Sequence, residues 1–224
     1  GRSMRKEAVE NTRASTASVG SLMMFLAVAG ARGYELVSAD FKTAYLLAET
    51  REDELIFARI PVGVGLPHEG KICRVRKSIY GTPSAGTNWG RKLEKEMLAG
   101  GWIQNVKERN LWSKEVDGDM VYALTYVDDV LCAGPTQDAC WKALQGVLSQ
   151  FPHKKNAEKA FDFLGIDIEV LPGGVHVNVG RKILKLAEEM GVLDAEPITE
   201  LAWRAVPGGE AQPEEGSPED LAMK

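Results

Sequence analysis

Two tight turns in the middle of the chain constrain its fold more than any other feature. The apolar segments Leu111–Val116 and Met120–Val127 flank Asp117-Gly118, a dipeptide that favours a two-residue β-hairpin. The segment Val130–Ala133 follows directly, so Asp128-Asp129 predicts a second tight turn. Three strands joined by such turns run antiparallel and share one sheet.

Helices and further short strands surround these hairpins without the regular alternation of a parallel α/β protein. The predicted helical segments are 12–31, a short turn at 43–48, 83–98, 136–151 and 183–190. The other predicted strands are 34–40, 55–60, 72–78, 161–171 and 175–179. This mixture, joined mostly by hairpins, favours an α+β fold in which helices cover one face of an antiparallel sheet.

The charge of the chain is unevenly distributed. The net charge is −5, but residues 194–224 alone hold eight acidic and two basic residues. Because Pro, Gly and Glu dominate there, we expect 193–224 to be an acidic, disordered tail. Residues 61–110 hold nine basic and four acidic residues, which indicates either a solvated face or a surface for phosphate groups.

Cysteine content and hydropathy bear on the compartment. The cysteines are too few for a disulfide scaffold and lack zinc-ligand spacing; they are Cys73, Cys132 and Cys140. The apolar run Leu22–Ala31 follows several basic residues, as in a signal peptide, but is shorter than the roughly 20 residues that span a bilayer. Because Glu7 and Glu10 dilute the positive charge, we interpret the run as a buried helix. The prediction is therefore an intracellular chain that is not secreted and has no membrane partner.

Three carboxylates are the strongest candidates for chemistry. Asp128 and Asp129 end an apolar strand, and Asp40 ends the predicted strand 34–40. Adjacent carboxylates repel each other and are costly to desolvate, and a divalent cation offsets both effects. If the two strands are neighbours, the three groups meet at one end of the sheet and could hold the paired metal ions of phosphoryl transfer. The alternative is that Asp128-Asp129 is an ordinary turn.

Aromatic and basic residues could complete a nucleotide site. Tyr45 follows Asp40 by one short turn and could wall a sugar pocket, although core packing is the favoured explanation when this residue is taken alone. Tyr80 and Trp89 lie among basic residues near a helix start, where bases could stack and phosphates could bind, but Trp89 also fits an apolar helix face. Taken alone, these residues are weak indications.

Four stretches in fixed order resemble the reverse transcriptase domain of copia-type LTR retrotransposon polyproteins. They are YELVSADFKTAYLL (34–47), RVRKSIYG (74–81) with Trp89, YALTYVDDVLCAG (122–134) and FDFLGIDIE (161–169). The resemblance covers roughly residues 12–192. YVDD with an upstream DFKTAY is specific to this group, and FLGI supports it independently.

The resemblance implies a right-hand polymerase palm on a ferredoxin-like sheet. It divides the chain into partial fingers (1–33), a palm (34–179) and a following helix (180–192). Asp40, Asp128 and Asp129 match the catalytic acids that bind Mg²⁺ or Mn²⁺. Tyr45 matches the aromatic residue that excludes a ribose 2′-hydroxyl, so the expected partners are a deoxynucleoside triphosphate and an RNA or DNA template-primer. The other residues expected to bind substrate are Tyr126, Tyr80, Gly81 and Ser84.

The chain also departs from the family pattern. Ser84 stands where a nucleotide-contacting Gln is usual, and Gly86 and Thr87 replace Pro and Arg. We expect the finger segment for the triphosphate, most of the thumb and the rest of the polyprotein to be missing. The leading hypothesis is an RNA-directed DNA polymerase domain. One alternative is a truncated, inactive remnant that at most binds nucleic acid, and another is a different palm-type enzyme such as a cyclase, which leaves Tyr45 and YVDD unexplained.

Overall fold

Short strands joined by turns alternate with helices along the part of the chain that the structure describes. The structure is a computed structural model, and it describes residues 16–193. The helices are α1 (Val19–Ala31), α2 (Ala44–Leu47), α3 (Ala85–Ala99), α4 (Gln137–Leu148) and α5 (Gly180–Glu189). The strands are β1 (Glu35–Phe41), β2 (Phe57–Arg59), β3 (Ile72–Arg74), β4 (Ile103–Gln104), β5 (Leu111–Val116), β6 (Asp119–Tyr126), β7 (Asp129–Gly134), β8 (His153–Asn156), β9 (Ala160–Phe163), β10 (Ile166–Leu171) and β11 (Gly174–Asn178).

The two central hairpins form as predicted and make up the middle of a six-stranded antiparallel sheet. The strand order is β4-β5-β6-β7-β1-β8, so β1 lies between β7 and β8. A second sheet has the order β11-β10-β9, and β2 pairs with β3 in a separate two-stranded ribbon. The mixed, antiparallel character expected of an α+β protein is confirmed.

Helices pack against both faces of the six-stranded sheet, so the prediction of helices on one face only is wrong. On one face, α3 buries Trp89, Leu93 and Met97 at four-residue spacing, and α4 adds a second apolar stripe. On the other face, α1 packs with β9 and β10 over side chains such as Leu36 and Leu131. Successive side chains of a strand point to opposite faces, and every central strand here is apolar on both, so both faces require a cover.

Several boundaries differ from the predicted ones. The predicted strand 161–171 is two strands, because Leu164 and Gly165 turn the chain with φ angles of 58° and 76°. The second central turn lies at Val127-Asp128, one residue earlier than predicted, and Asp129 is the first residue of β7. Strands β4 and β8 were not predicted, because two and four residues without apolar alternation carry too little pattern.

A side-chain cap fixes the start of helix α1. Helix α1 begins at Val19 because the Ser18 hydroxyl accepts a hydrogen bond from the Ser21 amide at 3.0 Å. Of the residues that the sequence predicted at the start of this helix, 16–18 precede it and 12–15 lie outside the described residues. The expected tail beyond Leu193 also lies outside the described residues. The division of the chain into fingers, palm and following helix stays a prediction.

The chain divides into two compact units, Gly1–Lys182 and Ile183–Lys224. All three sheets belong to the first unit. Of the second unit, the structure describes the remainder of α5 and the residues up to Leu193. Among the helices of residues 16–193, none is long and apolar enough to cross a membrane.

Candidate active site

Four side chains form a row across the end of the six-stranded sheet. Asp40 of β1 is directly opposite Asp129 of β7, as the sequence argument required of neighbouring strands. The row continues to Tyr126 of β6 on one side and to Lys154 of β8 on the other. Directly opposed residues of antiparallel strands share a face, so two carboxylates, a phenol and an ammonium group lie on the α1 side of the sheet.

The turn that carries Asp128 is held by two hydrogen bonds from outside its own hairpin. The indole Nε1 of Trp89 donates to the carbonyl oxygen of Val127 at 2.6 Å, and the Phe41 amide donates to the carbonyl oxygen of Asp128 at 2.7 Å. Val127 itself has a φ of 54°. The backbone on either side of Asp128 is therefore fixed by α3 and by the end of β1.

The carboxylates influence each other electrostatically. The pKa of Asp129 is raised to about 6, chiefly by burial and then by the negative charges of Asp128, Asp40 and Asp162. Asp162 lies on β9, outside the row, and its hydrogen bond from the Gly165 amide holds it at the β9–β10 turn. The four acids thus make one negatively charged region around the partly buried Asp129.

The donor set of this region suits a hard divalent cation, because Mg²⁺ and Mn²⁺ prefer carboxylate oxygens. A cation would also remove the repulsion that raises the pKa of Asp129. Among residues 16–193, however, no three His, Cys, Asp or Glu side chains are grouped so that they could hold a metal ion. The chemistry of the acids fits a metal, while their side chains do not form a finished site.

Two tyrosines lie together beside the acids. The rings of Tyr45 on α2 and Tyr80 have centroids 5.1 Å apart, and Tyr80 is 60% exposed. The pKa of Tyr45 is raised by burial, then by the charge of Asp128 and by Tyr80. Tyr45 is thus near the candidate centre and half-buried, as a residue that walls a pocket would be.

Gly81 and Ser84 connect Tyr80 to the start of α3. Gly81 has a φ of 86°, a left-handed conformation that glycine adopts without strain. The Ser84 hydroxyl donates to the carboxylate of Glu54, whose other oxygen accepts from Asn88 at 3.1 Å. Ser84 therefore holds Glu54 against the start of α3, and its contact with substrate stays a prediction.

Sequence reasoning missed three residues that the structure adds to this region. Lys154 and Asp162 lie on strands that tertiary structure brings close to the acids. Their positions in the sequence therefore gave no indication that they lie near Asp40 and Asp129. Glu54 has no motif of its own, although an acid facing a predicted helix start is a recognisable pattern. Of the predicted residues, Asp40, Asp128, Asp129, Tyr126 and Tyr45 lie in one region, Tyr80 stacks on Tyr45, and Gly81 and Ser84 continue from it.

Comparison with known proteins identifies the class of protein. Residues 2–201 match the family model described as reverse transcriptase (RNA-dependent DNA polymerase). Since that match covers most of the chain, the chain belongs to this reverse transcriptase family. The resemblance to copia-type retrotransposon polymerases is thereby confirmed.

Curated relatives agree with this assignment. The chain is 28% identical over 179 residues to the "Retrovirus-related Pol polyprotein from transposon RE1" of Arabidopsis thaliana, covering 80% of this chain and 12% of that protein. It is 25% identical over 177 residues to the "Transposon Ty1-DR5 Gag-Pol polyprotein" of Saccharomyces cerevisiae, covering 74% of this chain and 10% of that protein. The chain thus spans about one eighth or less of these relatives.

A solved structure of apo telomerase from Candida tropicalis, truncated from its C-terminal domain, is also similar. The match has a TM-score of 0.41 and 11% identity, and it covers 77% of this chain and 42% of that one.

Proposed function

We propose that the chain is the palm, over 34–179, of an RNA-directed DNA polymerase whose catalytic acids are Asp40, Asp128 and Asp129. The observation that carries the proposal is the register of β1 and β7, which puts Asp40 opposite Asp129 with Asp128 on the adjoining turn. Membership of the reverse transcriptase family supports the same assignment independently.

The three acids would hold Mg²⁺ or Mn²⁺, the divalent ions on which such polymerases generally depend. When bound, two such ions lower the pKa of an attacking primer 3′-hydroxyl and stabilise the leaving pyrophosphate. The contribution of the chain is to keep the carboxylates on opposed strands, where Asp40 and Asp129 face the same side. Because β1 and β7 are central strands, the acids have a rigid support.

The substrate contacts follow from the side chains around the acids. Tyr45, supported by the ring of Tyr80, would pack against the deoxyribose of the incoming nucleotide and exclude a 2′-hydroxyl. Tyr126 lies next to Asp129 in the row and would contact the primer end. Gly81 and the start of α3 would complete the nucleotide side of the pocket.

The template-primer would bind through exposed basic side chains. The β2–β3 ribbon and the segment after it present such a group: Arg59, Lys71, Arg74, Arg76 and Lys77. Phosphate contacts of this kind release counterions, so binding should weaken steeply with salt. We further propose that the chain functions as part of a larger Pol polyprotein inside the cell.

One observation favours a second candidate function, a remnant that binds nucleic acid without polymerising it. The Ser84 hydroxyl donates a hydrogen bond to Glu54, and this bond places a carboxylate at the start of α3, near the expected nucleotide contact. A negative group there would repel a triphosphate. A remnant would show salt-dependent binding of nucleic acid and no nucleotide incorporation.

Primer extension distinguishes the two candidates. The chain is incubated with an RNA template, a DNA primer, deoxynucleoside triphosphates and Mn²⁺, beside the Asp128→Asn/Asp129→Asn variant. We expect the wild-type chain to extend the primer and the variant to lose extension by at least 100-fold, because charge stabilisation of this kind contributes factors of about 10²–10³.

The matched control is Asp117→Asn, which changes a carboxylate in the other central turn of the same sheet. Asp117 is exposed and pairs with Lys142, so its loss should leave extension unchanged. Binding of the template-primer without extension by a folded wild-type chain supports the remnant. Equal extension by the wild type and the double variant contradicts the catalytic role of the acids.

A further inference from the structure

The turn that carries Asp128 has an unfavourable backbone conformation. Val127 has a φ of 54°, in the left-handed region that β-branched residues almost never adopt. Such a conformation persists only where the surrounding structure holds it in place. The packing of Val127 on the apolar core beneath the turn is one constraint, but packing alone does not orient the peptide group.

A buried indole supplies the directional constraint. Trp89 is 1% exposed, and its Nε1 donates to the Val127 carbonyl at 2.6 Å. A hydrogen bond shielded from water is stronger than an exposed one, and neither partner exchanges easily with solvent. The bond links α3 directly to the residue that precedes Asp128.

The position of the indole is itself fixed by aromatic packing. The ring of Trp89 makes edge contacts with Phe41 at 5.6 Å and Phe151 at 5.1 Å between centroids, and those two rings contact each other at 5.4 Å. Phe41 follows Asp40 in the chain, and its amide donates to the Asp128 carbonyl. One aromatic cluster therefore contacts the backbone beside Asp40 and beside Asp128.

We propose that Trp89 is a positioning residue for the candidate catalytic acids. Its indole N–H holds the Val127 peptide, and the Phe41–Trp89–Phe151 cluster keeps the Asp128 turn aligned with the end of β1. This inference rests on the proposed polymerase function, and it assigns to Trp89 a role beyond that of an apolar core residue.

The test removes the N–H while keeping the ring. Trp89→Phe retains an aromatic side chain, and replacement of Trp89 by 3-benzothienylalanine retains the whole bicyclic shape with sulfur in place of N–H. The control is Trp112→Phe. Trp112 is 4% exposed, and its Nε1 donates at 3.2 Å to the side-chain Oγ1 of Thr125 on β6, so this indole bonds no backbone group of the turn.

Two readouts are measured on the folded full chain. The first is hydrogen exchange of the Phe41 amide, whose acceptor is the Asp128 carbonyl, compared among variants at matched global stability. The second is Mn²⁺ affinity measured by electron paramagnetic resonance. We expect both Trp89 variants to speed Phe41 exchange about 10-fold and to weaken Mn²⁺ binding by a similar factor, because residues that orient metal ligands contribute about 10–100-fold.

Unchanged Phe41 exchange in the benzothienylalanine variant, or an equal increase in Trp112→Phe, overturns the positioning role. Faster exchange confined to the Trp89 variants supports it. If the wild-type chain does not bind Mn²⁺, the polymerase proposal fails on that result, while the exchange measurement still decides whether Trp89 holds the turn. If the Trp89→Phe variant fails to fold, the benzothienylalanine variant alone decides whether Trp89 positions the turn.

Discussion

The two central turns of the six-stranded sheet begin with the same backbone angle but use opposite kinds of residue. The β5–β6 turn has Asp117 at φ 54° followed by Gly118 at φ 91°, a pair that adopts positive φ angles readily. The β6–β7 turn has Val127 at φ 54° followed by Asp128. One turn satisfies local preferences, and the other contradicts them.

The surroundings of the turns explain how both exist in one sheet. Asp117 is exposed, and its contact with Lys142 is a surface ion pair, which contributes little. Val127 rests on the apolar core, and its carbonyl is bound by Trp89. The comparison teaches that the second turn depends on tertiary structure, and violations of local rules of this kind concentrate at functional sites.

The largest expected difference between the two turns is their response to divalent cations. Mn²⁺ at about 100 times its dissociation constant should stabilise the wild-type chain by about 2.7 kcal/mol, which raises the melting temperature by about 5 °C or more. Asp129→Asn should lose most of this gain because it removes a ligand charge at the first residue of β7, directly after the second turn. The measurement is thermal unfolding with and without Mn²⁺.

Asp117→Asn removes one carboxylate from the first turn and serves as the control. It should keep the full Mn²⁺-dependent increase. If Mn²⁺ raises the melting temperature of Asp129→Asn as much as that of the wild type, the cation binds elsewhere. The difference between the two turns would then have no connection with metal binding.

Exchanging residue types between the turns tests the backbone argument. Asp117→Val places a β-branched residue at a positive φ without tertiary support and should cost about 1–2 kcal/mol of unfolding free energy. Val127→Asn should change stability less, because relief of backbone strain offsets the loss of apolar contacts with the core. Urea unfolding measures both. A neutral Asp117→Val would mean that the left-handed angle is not the source of the difference.

The first turn could be predicted fully from sequence, and the second only in part. Asp117-Gly118 specifies its turn by local chemistry, so its position and the flanking strands follow directly. Asp128-Asp129 indicated a turn, but the turn lies at Val127-Asp128, because Asp129 pairs with both Tyr126 and Asp40. A preference of the two aspartates for turns is overridden there by strand pairing.

The candidate site shows the same limit. The sequence predicted that Asp40 and Asp129 would meet if their two strands were neighbours in the sheet, since each of two apolar strands ends in an acid. The presence of Lys154 and Asp162 nearby was not, because long-range pairing of β8 and the placement of β9 leave no local pattern. The hydrogen bond of Trp89 is also absent from the sequence pattern, which shows only an apolar residue on a helical stripe.

The smallest expected difference between the turns is their dependence on pH in the absence of divalent cations. The pKa of Asp129 is raised to about 6, by burial first and by the neighbouring acids second. A carboxyl with a raised pKa in the folded state favours folding when it is protonated. Its contribution is therefore complete below about pH 4 and is lost as the pH rises through about 6.

Replacing Asp129 by Asn removes this loss, so the variant should gain stability relative to the wild type between pH 4 and 7. Raising the pKa of Asp129 from its ordinary value to about 6 corresponds to about 3 kcal/mol, but Asp129 is partly open to solvent, so screening reduces the expected gain to about 1 kcal/mol. Urea unfolding in EDTA measures the difference at each pH. Mn²⁺ should reverse the trend, because a bound cation favours the ionised carboxylate and makes the wild type the more stable chain at pH 7. A wild-type-to-variant difference that stays constant from pH 4 to 7 in EDTA would mean that the second turn does not bear the repulsion of the clustered acids.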